Sequence, residues 1–385
     1  MKRVIISKFM APEIIFGEGA LDQIGESFLR LGANKVLVVS DPGVCDAGWV
    51  EQALTHLKSV DLPYATFFNV TMNPKDDEVH EGAKVYQEEE CDAVLGIGGG
   101  SSLDVAKAIA IIVSNGGSIH QYEGVDHIRR PLPPIIAVST TAGSGSEVSQ
   151  FSVIVNAKDG NKMTIVSKSL IPDIAIIDPE TLMTKDPALT ASTGLDVLTH
   201  AIEAYVSIVA TPLTDVQATN AIRLVASNLR PSVASQTNKE AKNNMAMASL
   251  QAGLAFSNAI LGAVHAMSHA IGGRYSLSHG EVNAILLPYV MEYNLMARPD
   301  RFQDIATFMG KDIRNMTQIE AAKASVSLVR ELIEDIQAPK KLSEIGFQDK
   351  DLTFMSEIAL QDACMITNPR DLTVEEVKSL YMRAL

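Results

Sequence analysis

The sequence predicts two domains: an α/β amino-terminal domain built on a doubly wound parallel sheet, and an all-helical carboxy-terminal domain. Three observations predict this. Up to about residue 182, short β-branched apolar runs alternate with helical segments, the pattern of repeated βαβ units. Beyond it, alanine, methionine and leucine recur at helical spacing. The chain has 385 residues, enough for two hydrophobic cores. The expected units are residues 1–182 and 183–385.

In chain order, residues 36–40 form a continuous apolar run, as expected of a parallel strand covered on both faces. Further strands are expected at 64–68, 93–97, 135–138 and 174–177, with helices at 78–89 and 101–113 between them. Residues 151–156 and 162–166 pattern as a hairpin around a tight turn at Asp159 and Gly160. In the second half, helices are expected at 193–207, 213–229, 246–271 and 317–335. The helix at 246–271 should stop at Gly272 and Gly273. The polar or proline-bearing stretches 234–244 and 296–300 are expected to be connections. Val4, Ile5 and Ile6 suit an edge strand available for pairing.

Composition removes several function classes. A net charge of -14 and a pI near 5.0 argue against non-specific binding to nucleic acid or anionic membranes. Cys45, Cys91 and Cys364 show no paired spacing, which excludes a disulfide framework and a zinc knuckle and suits a reducing compartment. No secretory signal is expected from the first nine residues, and no run of eighteen apolar residues suggests a membrane span. A cytoplasmic protein is the expectation.

Gly98-Gly99-Gly100-Ser101 lies between an expected strand and an expected helix. Glycines there let backbone approach a phosphate, and the amides at the helix start attract its charge. Ser101 and Asp104 have the spacing of a capping box, so a capped turn without a ligand also fits. The segment 139–147, with Thr140, Thr141 and Ser144, follows another strand and brings hydroxyls to the same carboxyl edge of the sheet. Asp41 ends the first strong strand. A carboxylate there can hold both hydroxyls of an adenosine ribose and repel a 2'-phosphate, favouring NAD over NADP; Asp41-Pro42-Gly43 is equally good as a plain turn.

Four of the eight histidines, His200, His265, His269 and His279, fall within residues 200–279. Asp196 and His200 are four apart on an expected helix, so both rise from one face. Such a pair alone is commonly solvated. Here the neighbours are Leu, Ala, Val, Ile and Met, where ionisable groups are costly unless paired or metal-bound. One Asp with three His would suit Fe(II) or Zn(II) better than calcium or magnesium.

These residues carry a family resemblance. Gly98-Gly-Gly-Ser101, the run from Thr140 to Glu147, that from Gly194 to Tyr205, His265-Ala-Met-Ser-His269 and His279-Gly280 leading to Asn283 resemble the iron-containing, group III, alcohol dehydrogenases along the whole chain. The resemblance implies a Rossmann-like domain followed by a helical metal domain, the dehydroquinate synthase-like arrangement, with the active site in the cleft between them. It implies Asp196, His200, His265 and His279 as ligands of Fe(II), with Zn(II) as the other candidate. It implies Gly98, Gly99, Gly100 and Ser101 at the NAD(H) pyrophosphate, with Asp41, Asn73, Asp104, Thr140, Thr141, Ser144 and Lys162 on the cofactor side. His269 matches a histidine that lines the site without binding metal, and Phe151 and Phe256 match substrate-pocket positions. Val282 stands where relatives often carry cysteine.

The implied activity is hydride transfer between NAD(H) and a small primary alcohol or its aldehyde at the metal. His269 would relay the alcohol proton or orient a ligand. The alternatives are a zinc polyol dehydrogenase or short functionalised-aldehyde reductase on the same fold, or a binding protein that has lost catalysis. Neither nucleic acid nor membrane is an expected partner; a homodimer or larger homo-oligomer is.

Overall fold

The computed structural model describes residues 8–158, 160–275, 277–348, 350 and 352–385. Among the described residues the strands are β1 Glu13–Phe16, β2 Val36–Val39, β3 Tyr64–Phe67, β4 Ala93–Gly98, β5 Gly124–Val125, β6 Ile135–Ser139, β7 Phe151–Val155, β8 Lys162–Val166 and β9 Ile174–Ile177. The helices of the first half are α1 Ile24–Arg30, α2 Pro42–Asp46, α3 Trp49–Ser59, α4 Asp76–Glu88 and α5 Gly100–Asn115. After Asp186 come α6 Pro187–Val206, α7 Pro212–Ala234, α8 Lys239–Ala259, α9 Ala263–Arg274 and α10 His279–Asn294. The chain continues through α11 Pro299–Phe308, α12 Gln318–Asp335, α13 Leu352–Gln361 and α14 Val374–Ala384.

Six strands make one parallel sheet in the order β1-β9-β6-β4-β2-β3. Alternation on β2 explains its two coats. Val36 and Val38 pack with the α1 and α3 side chains Phe28 and Leu57, while Leu37 and Val39 pack with Val79 of α4 and Ile109 of α5. Helices therefore cover both faces, and the sheet is doubly wound. Asp92 fixes the entry of β4 beside β2: its carboxylate accepts the backbone N–H groups of Asn34 at 2.9 Å and Lys35 at 3.0 Å. The successive elements β3 and β4 flank β2 on opposite sides, so the loops after β2 and β4 open a crevice at the carboxyl edge.

β7 and β8 form the expected antiparallel hairpin, in a second sheet ordered β5-β8-β7. The connection from Asn156 to Asn161 is longer than a two-residue turn, and Asp159 lies outside the described residues, as do Val4, Ile5 and Ile6. The edge strand β1 was not expected from the sequence, because a four-residue strand is too short to show a period.

The second half is helical, and α6 runs through its middle. Every residue of α6 from Ala191 to Val206 except Thr193 is buried. Asp186 starts the helix by accepting the Leu189 N–H at 2.8 Å, with Pro187 preset for the first turn.

Three expectations for this half need correction. The helix expected at 246–271 is two helices, α8 and α9, bent by 99° across Ile260–Gly262. Ile260 takes φ 59° and ψ -173°, which ends α8. The apolar periodicity continues on both sides of the break, so spacing alone hides it. α9 also runs through Gly272 to Arg274; glycine at 272 leaves room for the Lys162 side chain, whose Nζ would sit 3.0 Å from an added Cβ. Likewise α8 begins at Lys239, so the connection expected at 234–244 shrinks to the residues around Ser235–Asn238, and the Asn238 side chain caps α8. Among the described residues no single helix is long and apolar enough to cross a membrane.

Candidate metal and dinucleotide site

Three helices deliver one constellation. α6 supplies Asp196, His200 and Glu203 from one face, α9 supplies His265 and His269, and α10 starts on His279 and places Asn283 a turn later. Asp196, His265 and His279 each offer a ligand atom, all within 4.8 Å of one another. His265 Nε2 lies 3.7 Å and His200 Nε2 4.0 Å from Asp196 Oδ1. The His200 ring stacks between those of His265 and Phe256, each centroid 4.5 Å away. Asp196 is 6% exposed and His265 1%. One carboxylate and three imidazoles, converging and buried except for the half-buried His279, fit a divalent cation of the iron or zinc kind.

The electrostatics of Asp196, His200 and His279 agree with that donor set. Burial alone would raise the Asp196 carboxyl, but His200, His265 and His279 hold it well below the carboxylate range. Burial lowers His200 to about 4, against the pull of Asp196. It pushes His279 well below its ordinary value too, so both rings keep neutral nitrogens for coordination. His265 differs: burial opposes its charge, yet Glu203 and Asp196 raise it to about 9.

Several residues here carried no role in the sequence reading. Asn283 donates its amide to Asp196 Oδ1 at 2.7 Å, and the same nitrogen stands 3.1 Å from Nε2 of His265 and of His279. Ser268 Oγ pairs with His279 Nδ1 at 3.1 Å. His269 Nδ1 donates to Asp362 Oδ2 at 2.8 Å, with Cys364 beside them. Of these contacts only Asn283 to His279 follows from helical spacing; Asn283 reaches Asp196 and His265, and Ser268 reaches His279, from one helix to another. Asp362 lies 93 residues from His269, and no local pattern pairs them.

The dinucleotide side stands opposite. Asp41 caps α2 by accepting the Val44 N–H at 3.1 Å, and its other oxygen accepts the Ser102 hydroxyl at 2.8 Å. It is thus both turn residue and cleft wall. Gly98 closes β4 at φ 153°, where a Cβ would strike Ser102 at 2.6 Å. Gly99 then precedes α5, and no side chain caps that helix start.

The expected capping box is absent. Ser101 already lies inside α5, and Asp104 turns away to accept the Ser146 hydroxyl at 2.5 Å and the Val153 N–H at 3.0 Å. A buried carboxylate takes the strongest donors within reach, and the hairpin backbone provides one. The first-turn amides of α5 are therefore left to an anion.

Two cavities of about 300 and 660 Å³ share Gly99, Gly100, Ser101 and Thr141 on their walls. The smaller also meets Asn73, Asp104, Ser144, Phe151, Lys162, Phe256, His269 and the four candidate ligands. The larger meets Asp41 and Thr140, whose buried hydroxyl has no partner among the described residues. Only Gly98 of the expected site residues lines neither cavity; it shapes the turn beneath. Burial lowers Lys162 to about 8, with Asp196 and Asp104 opposing. An extended molecule with a phosphate near its middle fits these two cavities, one end at the imidazoles and the other at Asp41.

Comparison with known proteins agrees with this geometry. Residues 11–179 match the family described as iron-containing alcohol dehydrogenase, and residues 190–385 the C-terminal part of the Fe-containing alcohol dehydrogenase family. The chain is 42% identical over 379 residues to the 1,3-propanediol dehydrogenase of Citrobacter freundii, covering 98% of both chains. It is 37% identical over 377 residues to the NAD-dependent methanol dehydrogenase of Bacillus methanolicus, covering 98% of this chain and 99% of that one. The crystal structure of a 1,3-propanediol oxidoreductase superposes with a TM-score of 0.97 at 42% identity, over 99% of this chain and all of the other.

Proposed function

The chain belongs to the iron-containing alcohol dehydrogenase family, and on that premise we propose that it interconverts a small primary alcohol and its aldehyde using NAD(H). The observation that carries the reading is the convergence of buried Asp196, His200 and His265 with half-buried His279 across one cleft from the uncapped start of α5. When bound, the cation supplies Lewis acidity toward an alcohol or carbonyl oxygen, and the nicotinamide takes up or returns hydride.

The chain's own residues do the rest. Asp196, His200, His265 and His279 would hold Fe(II), with Zn(II) compatible with the same donors. The α5 amides at Gly100 and Ser101 would bind the pyrophosphate after the turn made by Gly98 and Gly99. Asp41 would take the adenosine ribose, while Asn73, Thr140, Thr141, Ser144 and Lys162 would line the cofactor's path. Phe151 and Phe256, 5.9 Å apart, give the substrate end an apolar wall suited to a short uncharged chain. His269 is the proton-relaying group in this reading: its Nδ1 is committed to Asp362, which leaves Nε2 as the ring nitrogen for the cleft.

We place the division between the two domains at residue 182, supported by the last sheet strand ending at Ile177 and the first helix of the helical half starting at Pro187. We also propose a cytoplasmic homo-oligomer. The free thiols Cys45, Cys91 and Cys364 suit a reducing compartment, and β1, the terminal strand of the large sheet, offers an edge for a second copy. A panel of short aldehydes with NADH and protein loaded anaerobically with Fe(II) tests the activity. Loss of NADH absorbance that depends on both aldehyde and metal is expected; oxidation independent of the metal would overturn the reading.

A further inference from the structure

Glu203 lies beside the metal ligands, yet the proposed reaction gives it no task. It comes from α6, seven residues after Asp196, and is 4% exposed. Both carboxylate oxygens are engaged by α9. Oε2 accepts from His265 Nδ1 at 2.6 Å, and Oε1 accepts the Val264 N–H at 2.7 Å. Gly262 precedes α9 and has no side chain with which to cap it. A Cβ on Gly262 would stand 2.9 Å from Glu203 Oε1, so glycine there lets a carboxylate from another helix take the capping position.

Two physical consequences follow. An ionised carboxylate only accepts hydrogen bonds, so the Nδ1 it faces must carry the proton. The lone pair of a neutral His265 is then on Nε2, the nitrogen turned toward Asp196. Secondly, α9 begins just past a 99° break, so its direction is not inherited from α8. The Glu203 contacts bind it to α6, the helix bearing Asp196 and His200. The distance between ligands on separate helices is thereby tied to a residue that binds no metal, while Asn368 holds the same end of α9 by accepting the Ala263 N–H at 3.2 Å.

We propose that Glu203 is a positioning residue for the metal site, fixing the tautomer and aim of His265 while clamping α9 to α6. The inference rests on the ligand set proposed above. Glutamine at 203 keeps the shape but has one acceptor oxygen where two donors, His265 Nδ1–H and the Val264 N–H, need one each. With its NH2 at Nδ1 the proton would have to move to Nε2 and block coordination; with its NH2 at Val264 the clamp on α9 is lost.

The test uses full-length Glu203→Gln, with Asp196→Asn and His279→Ala as controls. Co(II) and Zn(II) affinities are measured by chelator competition, with the visible Co(II) spectrum and the melting temperature of the metal-free protein. A positioning role predicts metal affinity about 10- to 100-fold weaker in Glu203→Gln and a shifted Co(II) spectrum, in a protein that still melts cooperatively. Parental affinity and spectrum in Glu203→Gln, with the controls stripped of metal, would overturn the inference and leave the ligand set standing. Parental affinity in the controls as well would remove the ligand set itself. Should Glu203→Gln fail to fold, Gly262→Ala reads the same contact by pressing a Cβ on Oε1: weakened affinity is expected, and parental affinity overturns the proposal.

Discussion

His269 donates from Nδ1 to Asp362 across 2.8 Å, joining the middle of α9 to the turn that follows α13. Burial would raise the Asp362 carboxyl, but the His269 imidazole holds it at about 2, so it stays ionised at every working pH. Asp362→Asn keeps the shape and removes the charge. If His269 relays the proton, kcat should fall about 10- to 100-fold, the range of a positioned acid–base group, with metal content and aldehyde KM near parental. Steady-state kinetics with metal analysis checks this; an unchanged kcat removes His269 from the proton path.

Replacing His265 by alanine should strip the metal and most activity while the protein stays folded. The variant leaves Glu203 buried with one partner fewer, a cost of about 1–3 kcal/mol. Bound metal per chain and a thermal melt are the measurements. A full complement of metal in this variant would contradict the ligand assignment.

Gly99→Val separates the two halves of the site. The backbone there is extended, at φ -81° and ψ -171°, and an added Cβ meets Thr141 at an ordinary 3.4 Å. The fold should accept the change, whereas a pyrophosphate at the start of α5 should not. NADH titration is expected to weaken at least tenfold with metal content unaltered. Parental NADH affinity would move the phosphate elsewhere.

Cofactor choice is predicted to rest on Asp41. Because its oxygens cap α2 and hold Ser102, glycine would remove a structural contact together with the charge. Asp41→Asn keeps a capping acceptor and removes only the charge. NAD(H) preference is expected in the parent, with relaxation toward NADP(H) in both Asp41→Gly and Asp41→Asn. Ratios of kcat/KM for NADH and NADPH decide it, and identical ratios in all three proteins would make Asp41 a turn residue alone.

Asp92 supplies a pH-dependent prediction away from the site. Burial raises its pKa, but the N–H donors of Lys35 and Asn34 outweigh that and hold it below the ordinary value. A carboxylate depressed in the folded state stabilises above its unfolded pKa and loses that contribution as pH falls through the folded one. Asp92→Ala should therefore cost about 1–3 kcal/mol at pH 7. The gap from the parent should close as pH drops below about 4. Urea denaturation across that range measures it; a gap independent of pH would assign the loss to packing.

Much of this was legible in the chain. Strand runs such as Val36–Val39 announce themselves because both faces are buried, and the candidate ligand pair Asp196 and His200 falls on one helical face. The break at Ile260 was hidden because apolar spacing persists across it. The capping box of Ser101 and Asp104 failed because spacing cannot show that a better donor arrives from a hairpin forty-nine residues on. Asp362 and Glu203 were present as letters without roles, since their partners are set by tertiary contact.

Ile260 holds a left-handed φ of 59°, a region costing about 1–3 kcal/mol for any residue with a Cβ. No single nucleotide change converts an isoleucine codon to a glycine codon. The one-step intermediates are valine, serine or arginine, each keeping the Cβ and so the strain. Mutational drift therefore reaches glycine at this joint only in two steps, and the first trims or replaces the isoleucine side chain while leaving the backbone strained. The corner from which α9 carries its candidate ligands is thus two mutations away from the residue that would relax it.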